Sequence, residues 1–377
     1  MIRRSTSTPL KHRWSLGHNY LAGITSGAWY RLLRENRFQV SAAYWHRAAF
    51  ITASSVINSC SSLIERWRFG DAIERTELTQ PPLFLLGHWR SGTTLLHYLL
   101  AQHDTQFNFA NTYQVVNPRT FLTTEKVVKR FGSRLVPPTR PMDNMQLSFN
   151  TPQEDEFAPL LLTLCSPYLG ISFPHHIDNY AKYLTFHGVP RPTIEAWQQA
   201  FIWFCKKLTL QNPRSLLLKS PPHTARIRLL LEMFPDARFV HIHRDPYRVF
   251  QSQKHFFDTA GWYTYLQAPD LSTMDDDILQ RYTTMYDAYF EDLALIAPDR
   301  FCEVRFDDLV ADPVGQTRQI YEQLSLPDFE SFEPKLRTYV DSLADYQPNR
   351  FPTLDEHSRE LVATHWSRSF QRWGYSV

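Results

Sequence analysis

Cysteine is scarce in this chain. The four thiols, Cys60, Cys165, Cys205 and Cys302, lie far apart, and none forms a C-x-x-C pair. This excludes a dithiol motif and reads as buried free thiols in a reducing compartment. A surplus of charge is also missing. Forty Lys and Arg against 38 Asp and Glu leave a net charge of +2, so nothing general favours nucleic acid and any anion site must be local. Met1 to Pro9 is polar and basic, with no apolar core of a secretory signal, so a cytoplasmic location is expected. There is no internal repeat and no low-complexity tract. There is also no run of about 20 residues that is apolar all round, as a membrane span requires. The nearest approach is Ala48 to Ile64. Its larger residues, Val56, Ile57, Cys60, Leu63 and Ile64, with Ala53 before and Trp67 after, fall at helical spacing, and serines and Asn58 fill the other side. That pattern predicts a helix docked through its apolar stripe.

What is present is 377 residues with 26 Phe, 18 Tyr and 10 Trp. This is enough for a large core in one to three domains, and enough aromatic surface for apolar binding walls. Residues 1–75 read as a helical leader, with a second stripe at Leu21, Ile24, Ala28, Leu32 and Leu33. Arg3, Arg4, Lys11 and Arg13 precede it. Basic residues before an amphipathic helix can attract an anionic membrane, so peripheral membrane contact stands beside the commoner outcome, packing on a core. From Pro81 the pattern changes to short apolar runs at Leu83–Leu86, Ser215–Leu218, Arg238–His243 and Phe301–Phe306. These alternate with helical segments at Thr93–Ala101, Thr224–Phe234, Tyr247–Phe257 and Asp277–Ile296. The alternation predicts an α/β fold with a parallel sheet flanked by helices, and ligands beyond the carboxyl ends of the strands.

The stretch Leu83 to Leu100 reads as a buried strand, a loop from Gly87 to Gly92, and a helix opening at Thr93. A loop that feeds a helix N-terminus gathers unpaired N–H groups and the positive end of the dipole, which makes an anion site. The nucleotide-binding P-loop needs Lys and then Ser or Thr after its second Gly. Here Thr93 takes the Lys position, and the loop's cation is Arg90. The loop therefore suits a single phosphate-type group better than a nucleoside triphosphate. A second anchor follows the third apolar run. Asp245 suits an N-cap and Pro246 the first helical turn, which leaves Arg244 at a strand tip and Ser252 eight residues on. An Arg and a hydroxyl so placed can grip another phosphate. His241 and His243 form an H-x-H, but no third ligand has suitable spacing, so no metal site is expected.

Arg90-Ser91-Gly92-Thr93-Thr94 after a hydrophobic strand resembles the 5′-phosphosulfate loop of sulfotransferases that use 3′-phosphoadenosine 5′-phosphosulfate (PAPS). Arg244 with Ser252 resembles their 3′-phosphate site. Leu218-Lys219-Ser220-Pro221, Val304 to Leu309 with Asp312-Pro313, and the ending Tyr346–Arg350 and Trp366–Tyr375 extend the likeness from about residue 80 to the end. The His-Trp-Arg-Ser-Gly-Thr-Thr loop is that of a broad, largely bacterial branch. Phe306 stands where the family's strand-end element carries Tyr.

The resemblance implies a P-loop-like domain over residues 76–377, in which residues 111–210 cover the acceptor. It implies PAPS as co-substrate with no required metal, and a small-molecule, lipid or carbohydrate acceptor bearing a hydroxyl or amine. Arg90, Ser91, Gly92, Thr93, Thr94, Arg244 and Ser252 would bind the nucleotide, Asn349 and Arg350 would close over it, and Arg90 and Lys219 would stabilise transferred charge.

The acceptor's proton needs a base. Some branches carry a Glu after the first helix, where this chain reads Phe109-Ala110-Asn111-Thr112-Tyr113. The local candidate is Glu154. With Thr151 it forms a capping box, and on a helix whose apolar face is Phe157, Leu160, Leu161 and Leu164 it would point inward, with Asp155 opposite and Glu156 at the edge. His88 and His223 are reserves. A P-loop kinase or NTPase and a non-catalytic nucleotide-binding protein are the alternatives.

Overall fold

A computed structural model of the chain describes residues 10–132, 150–344 and 351–377. Five parallel strands form one sheet: β1 (Leu83–Leu86), β2 (Phe107–Asn108), β3 (Ser215–Lys219), β4 (Arg238–His243) and β5 (Phe301–Arg305). Their order is β2-β3-β1-β4-β5. β1 is apolar at every position because helices cover both faces of the sheet, and all four residues are buried. Alternate side chains feed separate cores. Phe84 and Leu86 join Leu216, Leu218 and Phe239 on one side, while Leu83 and Leu85 join Leu217, Val240 and Ile242 on the other. The expected α/β architecture is therefore present.

Four strands lie within one residue of their predicted bounds. β2 was not predicted, since two residues carry no periodicity. The predicted helix Thr224–Phe234 is two pieces, a 3₁₀ turn at Pro221–Ala225 and a helix at Ile227–Met233. Between them Arg226 leaves helical geometry with φ −133° and turns its side chain inward.

Helices α1 (Ser26–Glu35) and α2 (Trp45–Arg75) precede the sheet, and α3 (Thr93–Leu100) follows β1. Leu21, Ile24 and Leu32 are buried against Leu160, Leu161 and Leu164, as their stripe predicts. α2 reverses its expectation. Val56, Ile57, Cys60, Leu63, Ile64 and Trp67, expected to dock, are exposed, and the serine side faces in. Asn58 Nδ2 donates to the carbonyls of Ala22 and Ile24 at 2.7 and 3.0 Å, and Ser59 Oγ accepts from Ser26 N at 2.9 Å. The physical reason is the surface α2 covers. α1 opens without a side-chain cap of its own, and its covered N–H and the carbonyls before it need polar partners that apolar side chains cannot supply. No described helix is long and apolar enough to cross a membrane.

Candidate functional site

The loop between β1 and α3 is tied to its surroundings. Gly87 N donates to Thr224 Oγ1 at 2.8 Å, and Ser91 donates to His88 O from both N and Oγ, at 3.1 and 2.8 Å. Arg90 (φ 71°) and Gly92 (φ 106°) both lie in the left-handed region. Gly92 is required twice over, since a Cβ there would also come within 2.2 Å of the Phe306 ring. α3 starts at Thr93 with no side-chain cap from Gly92, so no cap competes with an anion for its first-turn N–H groups. Thr93 and Thr94 stand on that turn. The Ser91 hydroxyl, expected to face the nucleotide, is bonded to His88 O in this structure and shapes the loop.

The two predicted anchors meet. Arg90 Nε donates to Ser252 Oγ at 2.8 Å, and Arg244 Nη1 donates to Arg90 O at 3.3 Å. The Arg244 guanidinium lies 4.2 Å above the Phe306 ring. Burial, and then the nearby Arg90, lower its pKa, the signature of cations held close together. Asp245 caps the following helix, accepting from Tyr247 N at 2.9 Å. Arg90, expected beside the transferred group, thus has its side chain on the Arg244 and Ser252 side.

At the β3 tip, three consecutive carboxylates meet three basic residues. Glu154 Oε1 accepts from Lys219 Nζ at 3.0 Å. Asp155 accepts from Lys219 N at 2.8 Å and pairs with His223 Nε2. Glu156 accepts from Arg226 Nη1 and Nη2 at 2.6 and 3.0 Å and from Ser166 Oγ at 2.7 Å. The second oxygen of Glu154 accepts from the Tyr168 hydroxyl, which itself accepts from Trp89 Nε1 at 2.9 Å. A hydrogen-bonded chain thus links the loop between β1 and α3 to Glu154 and Lys219. Burial, and then Glu154, push the Tyr168 pKa well above its ordinary value, so this hydroxyl keeps its proton. Asp155 and Glu156 are fully buried, whereas the Glu154 side chain keeps 14% exposure.

These contacts overturn the capping box. The helix starts at Phe157, with Glu156 at its N-cap position. Glu154 lies in the extended segment before it, where Pro152 bridges Asn111 and Gln153 N donates to Ala110 O at 2.9 Å. Asp155, expected to face away, is inside. Tyr168, Glu156 and Arg226 were not singled out as site residues. The available signal was the Glu-Asp-Glu run, matched by Lys219, His223 and Arg226 at spacings of four and three.

The reserve histidines have partners. His88 Nδ1 lies 2.9 Å from Trp89 O, and burial lowers its pKa to about 3, so it is neutral at pH 7. His223 is held by Asp155. His241 contacts Glu303 Oε1 at 3.0 Å, and His243 contacts the Tyr375 hydroxyl at 2.9 Å while stacking on Trp373. Asn349 and Arg350 lie outside the described residues. A cavity of about 890 Å³ lined by Arg31, Arg119, Trp203 and Lys206 shares no residue with the loop, the Lys219 tip or the Arg244 tip, so it is not part of this site.

Comparison with known proteins gives a consistent picture. Residues 81–331 match a family model described as the sulfotransferase family. A curated relative, omega-hydroxy-beta-dihydromenaquinone-9 sulfotransferase Stf3 of Mycobacterium bovis, is 39% identical over 353 residues, which cover 94% of this chain and 90% of that protein. The protein of the same description from Mycobacterium tuberculosis matches equally. Among solved structures, sulfotransferase STF9 from Mycobacterium avium superposes with a TM-score of 0.66 at 18% identity, over 94% of this chain and 98% of that one. STF1 from Mycobacterium tuberculosis gives 0.63 at 17%, over 93% and 94%. At these identities the structures show a shared fold.

Proposed function

The chain belongs to the sulfotransferase family, and on that premise we propose that it transfers a sulfuryl group from PAPS to a hydroxyl on an apolar lipid. The observation that carries the proposal is the Glu154–Lys219 pair at the end of the chain that starts at Trp89 in the loop. The first-turn amides of α3, with Thr93 and Thr94, hold the 5′-phosphate. Arg244 and Ser252 hold the 3′-phosphate, and Arg90, bonded to Ser252, lies between the two. Lys219 stabilises charge on the moving group. Glu154 takes the acceptor's proton as the new O–S bond forms and the bond from sulfur to the phosphate oxygen breaks, releasing 3′,5′-bisphosphoadenosine.

The position of Glu154 supports this assignment. Its segment pairs with Asn111, so the carboxylate stands beside the stretch where some branches carry theirs. The M. bovis relative is named for a menaquinone-type lipid bearing a terminal hydroxyl, and an acceptor of that class suits the aromatic content of residues 111–210, which we assign to covering it. Asn349 and Arg350 are assigned to closing over the nucleotide. A lipid acceptor places the enzyme at the cytoplasmic face of a membrane.

Calorimetry of 3′,5′-bisphosphoadenosine against ATP with Mg²⁺ tests the donor. The bisphosphate should bind tightly and Arg244→Ala should lose it. Preference for ATP, insensitive to that change, would replace this reading with a kinase. Binding without transfer to any hydroxylated lipid would leave a nucleotide-binding protein.

A further inference from the structure

We infer that the outer face of α2 docks on an anionic lipid surface. This goes beyond the assigned chemistry and rests on the leader alone. Along α2, Trp45, Val56, Ile57, Leu63, Ile64 and Trp67 are exposed, with Leu63 at 68% and Trp67 at 86%. They form one stripe of about 35 Å at 1.5 Å rise per residue. It lies on the side away from Ile51, Ser55, Asn58 and Ser59, through which α2 is attached to the protein. The packing of α2 is thus solved without the apolar residues of this stripe, and a large exposed apolar face on a folded chain marks a contact surface.

Charge selects the occupant. Residues 1–75 hold eleven Lys and Arg and four Asp and Glu, a net +7. The whole chain carries +2, so residues 76–377 carry −5. Arg34 and Arg37 stand exposed before the stripe, and Arg66 and Arg68 stand exposed at its end. Between Glu35 and Asp71 the one carboxylate is Glu65, which is buried against Lys207. Beyond Trp67 the same side turns acidic at Asp71 and Glu74, which sets the limit of the contact. A second copy of the chain is a poor occupant. Packed antiparallel about a two-fold axis, two such helices would set Arg34 and Arg37 against Arg66 and Arg68, and packed parallel they would set each pair against its own copy. A bilayer of acidic phospholipids supplies the opposite charge at the ends, and an apolar layer that accepts Trp and Leu in the middle.

The test uses the full chain and vesicles of phosphatidylglycerol with phosphatidylcholine, set against phosphatidylcholine alone. The chain should sediment with the acidic vesicles. Substituting Ile57→Ser, Leu63→Ser and Trp67→Ser together should lower the partition coefficient at least tenfold, while the urea-unfolding midpoint, used as the check on folding, stays unchanged. Arg34→Glu with Arg37→Glu should remove the preference for acidic lipid. Cys60 lies on the stripe and is exposed, whereas the other three cysteines are buried, so a polarity-sensitive dye on Cys60 reports the contact in the unsubstituted chain and should shift to the blue. No binding, equal binding to phosphatidylcholine alone, or a dimer in vesicle-free buffer that the triple substitution dissolves would each overturn the inference. None of these outcomes depends on whether the donor is PAPS.

Discussion

Residues 154–156 and the inner side of α2 both place polar side chains where apolar ones would be expected, and they do so by different chemistry. α2 spends hydroxyls and an amide on backbone groups at the start of α1. Each of these contacts is neutral and local in effect, and the charges on this side, Arg47 and Glu65, are held by backbone carbonyls and by Lys207. The Glu-Asp-Glu run spends carboxylates on Lys219, His223 and Arg226, and its Lys and Arg pairs are costly to desolvate and unforgiving when one partner is removed. Within that run the exposure differs. Glu156 is sealed, whereas Glu154 opens toward solvent, so the first reads as architecture and the second as chemistry.

The comparison can be broken in a defined order. Glu154→Gln should lower kcat by about 10²–10⁴ while leaving bisphosphate affinity unchanged. Steady-state kinetics beside calorimetry would show this, and a stability loss in place of the rate loss would make Glu154 architectural. Glu156→Gln strips the partner from a buried Arg226 and should cost about 3–5 kcal/mol of stability, read as a shift of the urea midpoint at constant slope. Asn58→Ala leaves two covered carbonyls unpaired and should cost about 1–3 kcal/mol, with kcat on a water-dispersed acceptor unchanged.

The smallest effect concerns the buried Glu65–Lys207 ion pair inside the α2 interface. Burial lowers the pKa of Lys207 from 10.5 to about 8, against the pull of Glu65. Between those values the folded chain has released the proton and the unfolded chain still holds it. Stability should therefore rise with pH from about 8 toward 10.5 in a series of denaturation curves, and Lys207→Met should flatten that rise.

Four of the five strands, the loop and the placement of Arg244 before a capped helix were readable in the sequence because each depends on local signals: continuous apolar runs, glycines at fixed spacing, and an Asp-Pro start to a helix. The facing of α2 was not readable. Its periodicity was correct, but which side of an amphipathic helix is covered depends on what lies beneath it, and here that is unpaired backbone. The triplet was missed for a related reason. Glu154 was judged against its own neighbours, Thr151 and Phe157, when its partners Lys219 and Tyr168 come from other segments. Ser91 fits the family pattern by identity, and its contact with His88 O inside the loop was not readable from that identity.

The Glu154 to Lys219 contact spans 65 positions of sequence, and this separation bears on how acceptor preference can be altered. The segment proposed to cover the acceptor, residues 111–210, also carries half of the proposed reacting pair and two of its buried neighbours. A chimera that swaps this segment wholesale would inherit a donor site with an orphaned lysine and arginine, unless residues 154–156 travel with the scaffold that bears Lys219, His223 and Arg226. On the proposed assignment, substrate range and reactivity are not freely separable modules, and the seam between them runs through three adjacent residues.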